Sequence, residues 1–402
     1  EAWERAGETW AYNPQQLAGQ PSGIIFDADN KMWELWTIGL ESLGVPRPTA
    51  FNLFVWFCAF FLPLVLYAAA RLFDLRPWTA VVAAALGSFC WYFDALAHWC
   101  SWVGMLCWAS AAYLWLLPLG VFRRWCSTRN PWWLFALLAL LTFQLNLHPY
   151  SFFLLVVPMA MLYLREARTL GWREHVGIVA VAVGVVVGNI WWLGPTLRFW
   201  HYILDSGFYL DATIGFVASD WLGLLREPSV TGVIAARTSF RFLALGGAVL
   251  CLWLWRRERD RRFLPLAAGL GVLLFVTYFG GYVGALKQVQ PYRFILPAMY
   301  LAVIPAAAFL ERGWRAMREA RIPAVAWAAV GLVLFVAAPR FVRDVIYFMP
   351  QFVPRQTRPL PAPPPDVNGG IYFGTIRWPA PFDFRHRPWD GDELARVAVW
   401  VD

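Results

Sequence analysis

Lysine is nearly absent: Lys31 and Lys287 are the only two in 402 residues. Charge as a whole is scarce, at 15% of residues, where a soluble globular domain carries about 25%. That scarcity excludes an ordinary soluble domain. Glycine-rich phosphate cradles are missing as well. There is no GxxxxGKS and no dinucleotide turn, which argues against ATP-driven work. The six cysteines include no CxxC and no metal-ligand spacing. No signal peptide opens the chain.

What fills the chain instead is apolar. Hydrophobic residues make up 59% and aromatics 18%, and the mean hydropathy is +0.49. The apolar residues form runs near the length of a bilayer crossing: 49–70, 77–91, 101–122, 131–145, 150–164, 176–197, 240–255, 263–279, 294–310 and 323–338. The runs are continuous rather than alternating, so they read as helices and not barrel strands. The expected fold is an all-α polytopic membrane protein of about ten spans. Residues 1–48 form a first outer loop, 49–338 the helical domain, and 339–402 a proline-rich linker leading into a small extracytoplasmic domain. Glu1 and Asp402 both stand in mid-element, so a fragment is expected, with a further span before Glu1.

Arginine gives the orientation. It recurs after the first, third, fifth, seventh and ninth runs, as Arg71 and Arg76, Arg123 and Arg124, Arg165 and Arg168, Arg256 and Arg257, and Arg312 and Arg315. The other connections are poor in it. Arginine-bearing connections stay in the cytoplasm, which puts residues 1–48 and the C-terminal tail outside. The net charge of +8 has this cause and does not point to nucleic acid.

The stretch 12–44 opens with turn formers, continues through Asp27 and Asp29, and becomes amphipathic. Met32, Trp33, Trp36, Leu40 and Leu43 share one helical face. Beside a membrane span this predicts a helix lying in the bilayer interface. A second such helix is expected in the long outer loop 198–239.

Ionisable groups at the outer face are the candidates for chemistry, because polar groups near membrane depth are costly and usually face a cavity. Asp94 and His98 stand four apart and would share a helix face, suiting proton transfer or phosphate binding; a solvated pair ending two spans is the plainer alternative. His148 sits in a tight His-Pro-Tyr outer turn, as a group at the bundle mouth or an interface anchor. Lys287 and Arg293 break the charge pattern, and Arg293 suits bidentate phosphate recognition; an ordinary interface arginine is the alternative. Asp27 and Asp29 offer a base or a metal pair, or a cap for the helix that follows. Cys90 and Cys100 lie near one membrane face and are candidates to pair. Trp91, Trp99 and Trp102 surround Asp94 and offer a face for a sugar ring or a prenyl chain, or simply belong to the aromatic belt.

Tyr12-Asn13-Pro14 followed by Leu17-Ala18-Gly19-Gln20-Pro21-Ser22-Gly23 resembles the N-P-x-x-x-x-G-x-P-x-G signature of the bacterial 6-pyruvoyl-tetrahydropterin synthase-related membrane proteins. That family lies within the GT-C superfamily of membrane glycosyltransferases. Ala50-Phe51-Asn52-Leu53, His148 and Gln290-Pro291-Tyr292-Arg293-Phe294 add to the resemblance. It implies a polyprenyl-phosphate-linked sugar as donor, transfer to a glycan, lipid or protein acceptor on the outer face, and an acidic base in the first outer loop. It also implies that Lys287, Tyr292 and Arg293 meet the donor phosphate. No cofactor is required by it, and a divalent metal stays open. The base is Asp27, Asp29, Glu1, Glu4 or Glu8, or precedes Glu1. A transporter or flippase of lipid-linked intermediates and a non-catalytic scaffold are the competing classes.

Overall fold

A computed structural model describes residues 10–13, 20–23, 31–94, 96–97, 100, 104–198, 217, 239–258, 263–287 and 289–319. The chain divides into two units, 1–218 with 240–321 and 219–239 with 322–402. The described residues belong to the first, Ser239 excepted. The tenth apolar run, most of the 198–239 loop and the tail from 339 lie outside the described residues, as do Asp27, Asp29 and His98.

Two short strands come first. β1 (Trp10–Asn13) pairs antiparallel with β2 (Gln20–Gly23), Trp10 facing Gly23 and Asn13 facing Gln20. The turn-forming stretch therefore contains a hairpin where the sequence reading had only turns.

The rest is helical. α1 is Lys31–Ser42, α2 Arg47–Leu72, α3 Pro77–Phe93, α4 Leu106–Leu114, α5 Leu116–Thr128 and α6 Trp132–Leu147. Then come α7 (Ser151–Glu166), α8 (Trp172–Arg198), α9 (Ser239–Glu258), α10 (Leu264–Phe279), the single turn α11 (Gly284–Lys287) and α12 (Ile295–Glu319). Each of the first nine apolar runs falls on a helix, the third divided at Trp115 into α4 and α5. Among the described residues, five segments are long and apolar enough to cross a membrane: Arg47–Leu72, Leu106–Thr128, Trp172–Arg198, Leu264–Tyr282 and Pro291–Glu319. The chain is a membrane protein. α6 is apolar but shorter.

Proline stands in the first turn of three helices, α2, α3 and α10. Pro77 stands in the first turn of α3, where its missing N–H would have had no partner anyway, and α2 begins in the same way after Pro46. α12 forms the centre: every residue from Ile295 to Ala307 is buried, packed against α3, α4 and α10. α8 is the opposite case. Val179, Val183, Val186, Val187 and Ile190 are exposed along it, an apolar stripe that only a lipid environment leaves without cost.

α1 is amphipathic as expected, but its aromatic face packs along α2. Trp33 meets Phe51 edge-on at 4.9 Å, Trp36 meets Phe57 at 4.9 Å, and Trp36 Nε1–H donates to the Ala50 carbonyl at 2.9 Å. Leu43, assigned to that face, lies past the helix end and is exposed. Lys31 is wholly buried and bonds Glu34 at 3.0 Å.

The five arginine-bearing segments meet at one end of the bundle. Arg123 pairs with Asp74 at 2.6 Å, Arg129 with Glu166 at 3.2 Å, Arg76 with Glu311 at 3.6 Å, and Arg312 with Glu258. These four pairs link all five segments.

Candidate functional site at the opposite end

α3 runs from Arg76, at the arginine end, to Asp94, a distance of about 25 Å at ~1.5 Å per residue. Asp94 is completely buried. It has left helical geometry, with φ −78° and ψ 132°. His98, four residues on, lies outside the described residues. Asp94 Oδ1 accepts the backbone N–H groups of Leu96 and Ala97 at 2.9 and 3.1 Å.

The partner of Asp94 is Arg241, near the start of α9 and 147 residues away. Arg241 Nε donates to Oδ2 at 2.7 Å and Nη2 to Oδ1 at 2.8 Å, with both side chains fully buried. The third guanidinium nitrogen donates to the Tyr292 hydroxyl at 3.2 Å. With four donors already on its two oxygens, Asp94 is a structural anion rather than a waiting base. The sequence did carry a signal for Arg241, as an arginine at the second position of the apolar run 240–255 and away from the arginine-rich connections.

Tyr292 belongs to the 3-10 turn Pro291–Phe294, which feeds the central helix α12. Arg293 follows it, half-buried, and Lys287 lies half-buried at the end of α11. Gly280 makes room for this turn: a Cβ there would stand 2.6 Å from Pro291 Cβ.

His148 ends α6 and is buried. The polar residues around it hold the His-Pro-Tyr corner closed. Gln144 Nε2 donates to Ser151 Oγ at 2.9 Å and to the Ala111 carbonyl at 3.0 Å, while Ser151 Oγ–H donates to the Gln144 carbonyl at 3.1 Å. His148 Nδ1 accepts the Tyr150 N–H at 3.1 Å. This bond assigns the tautomer, with the proton of the neutral ring on Nε2. Burial, and then the positive charge of Arg293, hold the His148 pKa well below 6.5. His148 is therefore a neutral ring that carries its proton on Nε2.

Aromatic rings connect His148 to the Arg293 turn. Trp108 lies 4.8 Å from the His148 ring and 5.5 Å from Phe294, and Tyr150 stacks on Phe294 at 6.2 Å. Burial pushes the Cys100 thiol up to about 12, opposed by the positive charges of Arg293 and Arg241. Cys90 and Cys100, the candidates to pair, are both free and buried. Among the described residues no group of three His, Cys, Asp or Glu could hold a metal ion.

The structure thus brings Asp94, Tyr292, Arg293 and His148 to one end of the bundle and adds Arg241. Comparison with family models, with curated proteins and with solved structures gives no match.

Proposed function

We propose that this chain is a GT-C-like integral membrane glycosyltransferase. In this reading it has about ten spans, sits in a bacterial cytoplasmic membrane with its arginine-tied end in the cytoplasm, and transfers a sugar from a polyprenyl-phosphate carrier to an envelope acceptor on the outer face. The reading is carried by one observation. At the end away from the arginine ties, the buried His148, with its ring proton on Nε2, feels the positive charge of Arg293, while Asp94 and Arg241 hold one another in a buried pair. An arginine beside a ring N–H suits a phosphate oxygen.

In the reaction the acceptor hydroxyl oxygen bonds to the anomeric carbon, and the bond from that carbon to the phosphate oxygen breaks. The electron pair leaves with the polyprenyl phosphate, steadied by Arg293 and His148. The hydroxyl proton passes to a carboxylate, for which Asp27 and Asp29 are the proposed candidates. Tyr292 positions the turn, and Lys287 adds positive charge at its entrance. An ion-coupled transporter would instead require ionisable groups near mid-membrane. Asp94 and Arg241 stand at helix ends, which favours the enzyme.

The test is transfer of radiolabelled sugar from polyprenyl-phosphate donors by the reconstituted protein. Arg293→Gln should abolish transfer while the protein still folds. Wild-type turnover in that variant removes the phosphate role, and no transfer by the wild type from any such donor removes the enzyme reading.

A further inference from the structure

At the arginine-tied end the helices leave a cavity of about 660 Å³, a size suited to a small ligand or a headgroup (~300–1,000 Å³). Its lining combines the charged Arg71, Arg124 and Asp74 with Tyr67, Leu72 and Trp133. Asp74 does not neutralise the rim, because Arg123 at 2.6 Å and Arg124 at 3.3 Å both hold it. Two guanidiniums thus hold that carboxylate, and a third, Arg71, lines the same cavity. Two carbonyls at and just beyond the end of α2, which would repel an anion, are covered: Arg123 donates to Leu72 O and Arg71 to Leu75 O, each at 2.6 Å.

A second observation continues the cavity upward. Trp56, Phe60 and Leu64 are exposed on α2 at four-residue spacing, and Tyr67 and Arg71 extend the same row into the cavity. On a helix these residues form one stripe. The stripe is apolar for about three turns and ends on a cationic rim.

We propose that this cavity binds an anionic phospholipid, its phosphate on Arg71 and Arg124, its glycerol against Tyr67 and Trp133, and an acyl chain along Leu64, Phe60 and Trp56. A cation rim alone fits any phosphate. The apolar stripe joined to it selects an amphiphile. The site is remote from the proposed catalytic end and does not depend on that reading.

The test uses the full chain in neutral detergent, with native mass spectrometry reporting bound phosphatidylglycerol against phosphatidylcholine. The wild type should prefer the anionic lipid. Replacing both arginines, Arg71→Gln with Arg124→Gln, should cut its affinity about thirtyfold and leave phosphatidylcholine binding unchanged. Leu64→Ser with Phe60→Ser should also weaken phosphatidylglycerol. Equal affinity for the two lipids in the wild type, or undiminished phosphatidylglycerol binding in the arginine double variant, overturns the proposal. So does inorganic phosphate that displaces the lipid as effectively as a second phosphatidylglycerol, because the site would then read phosphate alone. Circular dichroism and thermal unfolding without added lipid establish that each variant is folded.

Discussion

Asp94 and Arg241 form a fully buried bidentate ion pair that joins the end of α3 to the beginning of α9. Removing one partner of such a pair strands a buried charge and costs about 3–5 kcal/mol, whereas replacing both with apolar groups is far milder. Arg241→Met alone should therefore unfold at markedly lower denaturant concentration than Asp94→Leu/Arg241→Met. Equal stabilities for the single variant and the wild type would mean that the pair contributes no lock.

His148 gives a pH dependence whose sign is fixed by burial and by Arg293. Its folded pKa is depressed from 6.5, so the unfolded chain takes up a proton that the folded chain refuses. The stabilising contribution is complete above pH 6.5 and declines as pH falls below that value towards the folded pKa. His148→Gln should flatten that limb of the stability curve. An unchanged acid limb in the variant would show that His148 is not the group responsible.

Gly280 is a steric prediction. Its missing Cβ lets the Gly280–Tyr282 turn lie against Pro291, whose ring cannot rotate away. Gly280→Ala should cost about 1–3 kcal/mol through overpacking and displace the turn carrying Tyr292 and Arg293. Gly246→Ala, where nothing stands within 4 Å of the added carbon, is the control. Thermal unfolding of the two variants side by side decides it.

Trp36 fastens α1 to α2. Trp36→Phe keeps the ring and loses the N–H to the Ala50 carbonyl, a loss of about 1 kcal/mol. Hydrogen exchange should quicken in 31–42 while remaining unchanged in α12. If exchange in α1 is unaltered, the helix is held by ring packing alone.

Much of the helical framework was legible because continuous apolar runs leave the backbone little choice in lipid. The charge pattern was legible too: the arginine connections meet in the structure through pairs such as Arg129–Glu166 and Arg76–Glu311. The partner of Asp94 was not. Four-residue spacing directs attention to His98, whereas the bond is made with a residue on another helix, and no local periodicity encodes that pairing. The Met32-to-Leu40 face shows a related limit. An amphipathic pattern says that one side is apolar, and α2 meets that demand as well as lipid does. Lys287 and Arg293 were singled out because their charge was out of place, and the same rule would have singled out Arg241.

The Asp94–Arg241 pair also sets an order of events during synthesis. Arg241 is made 147 residues after Asp94, a wait of about 7–30 s at ~5–20 residues per second. Throughout it α3 ends in a carboxylate whose guanidinium has not been made. The first half of the bundle therefore enters the membrane unlocked at this end, and the arrival of α9 closes it.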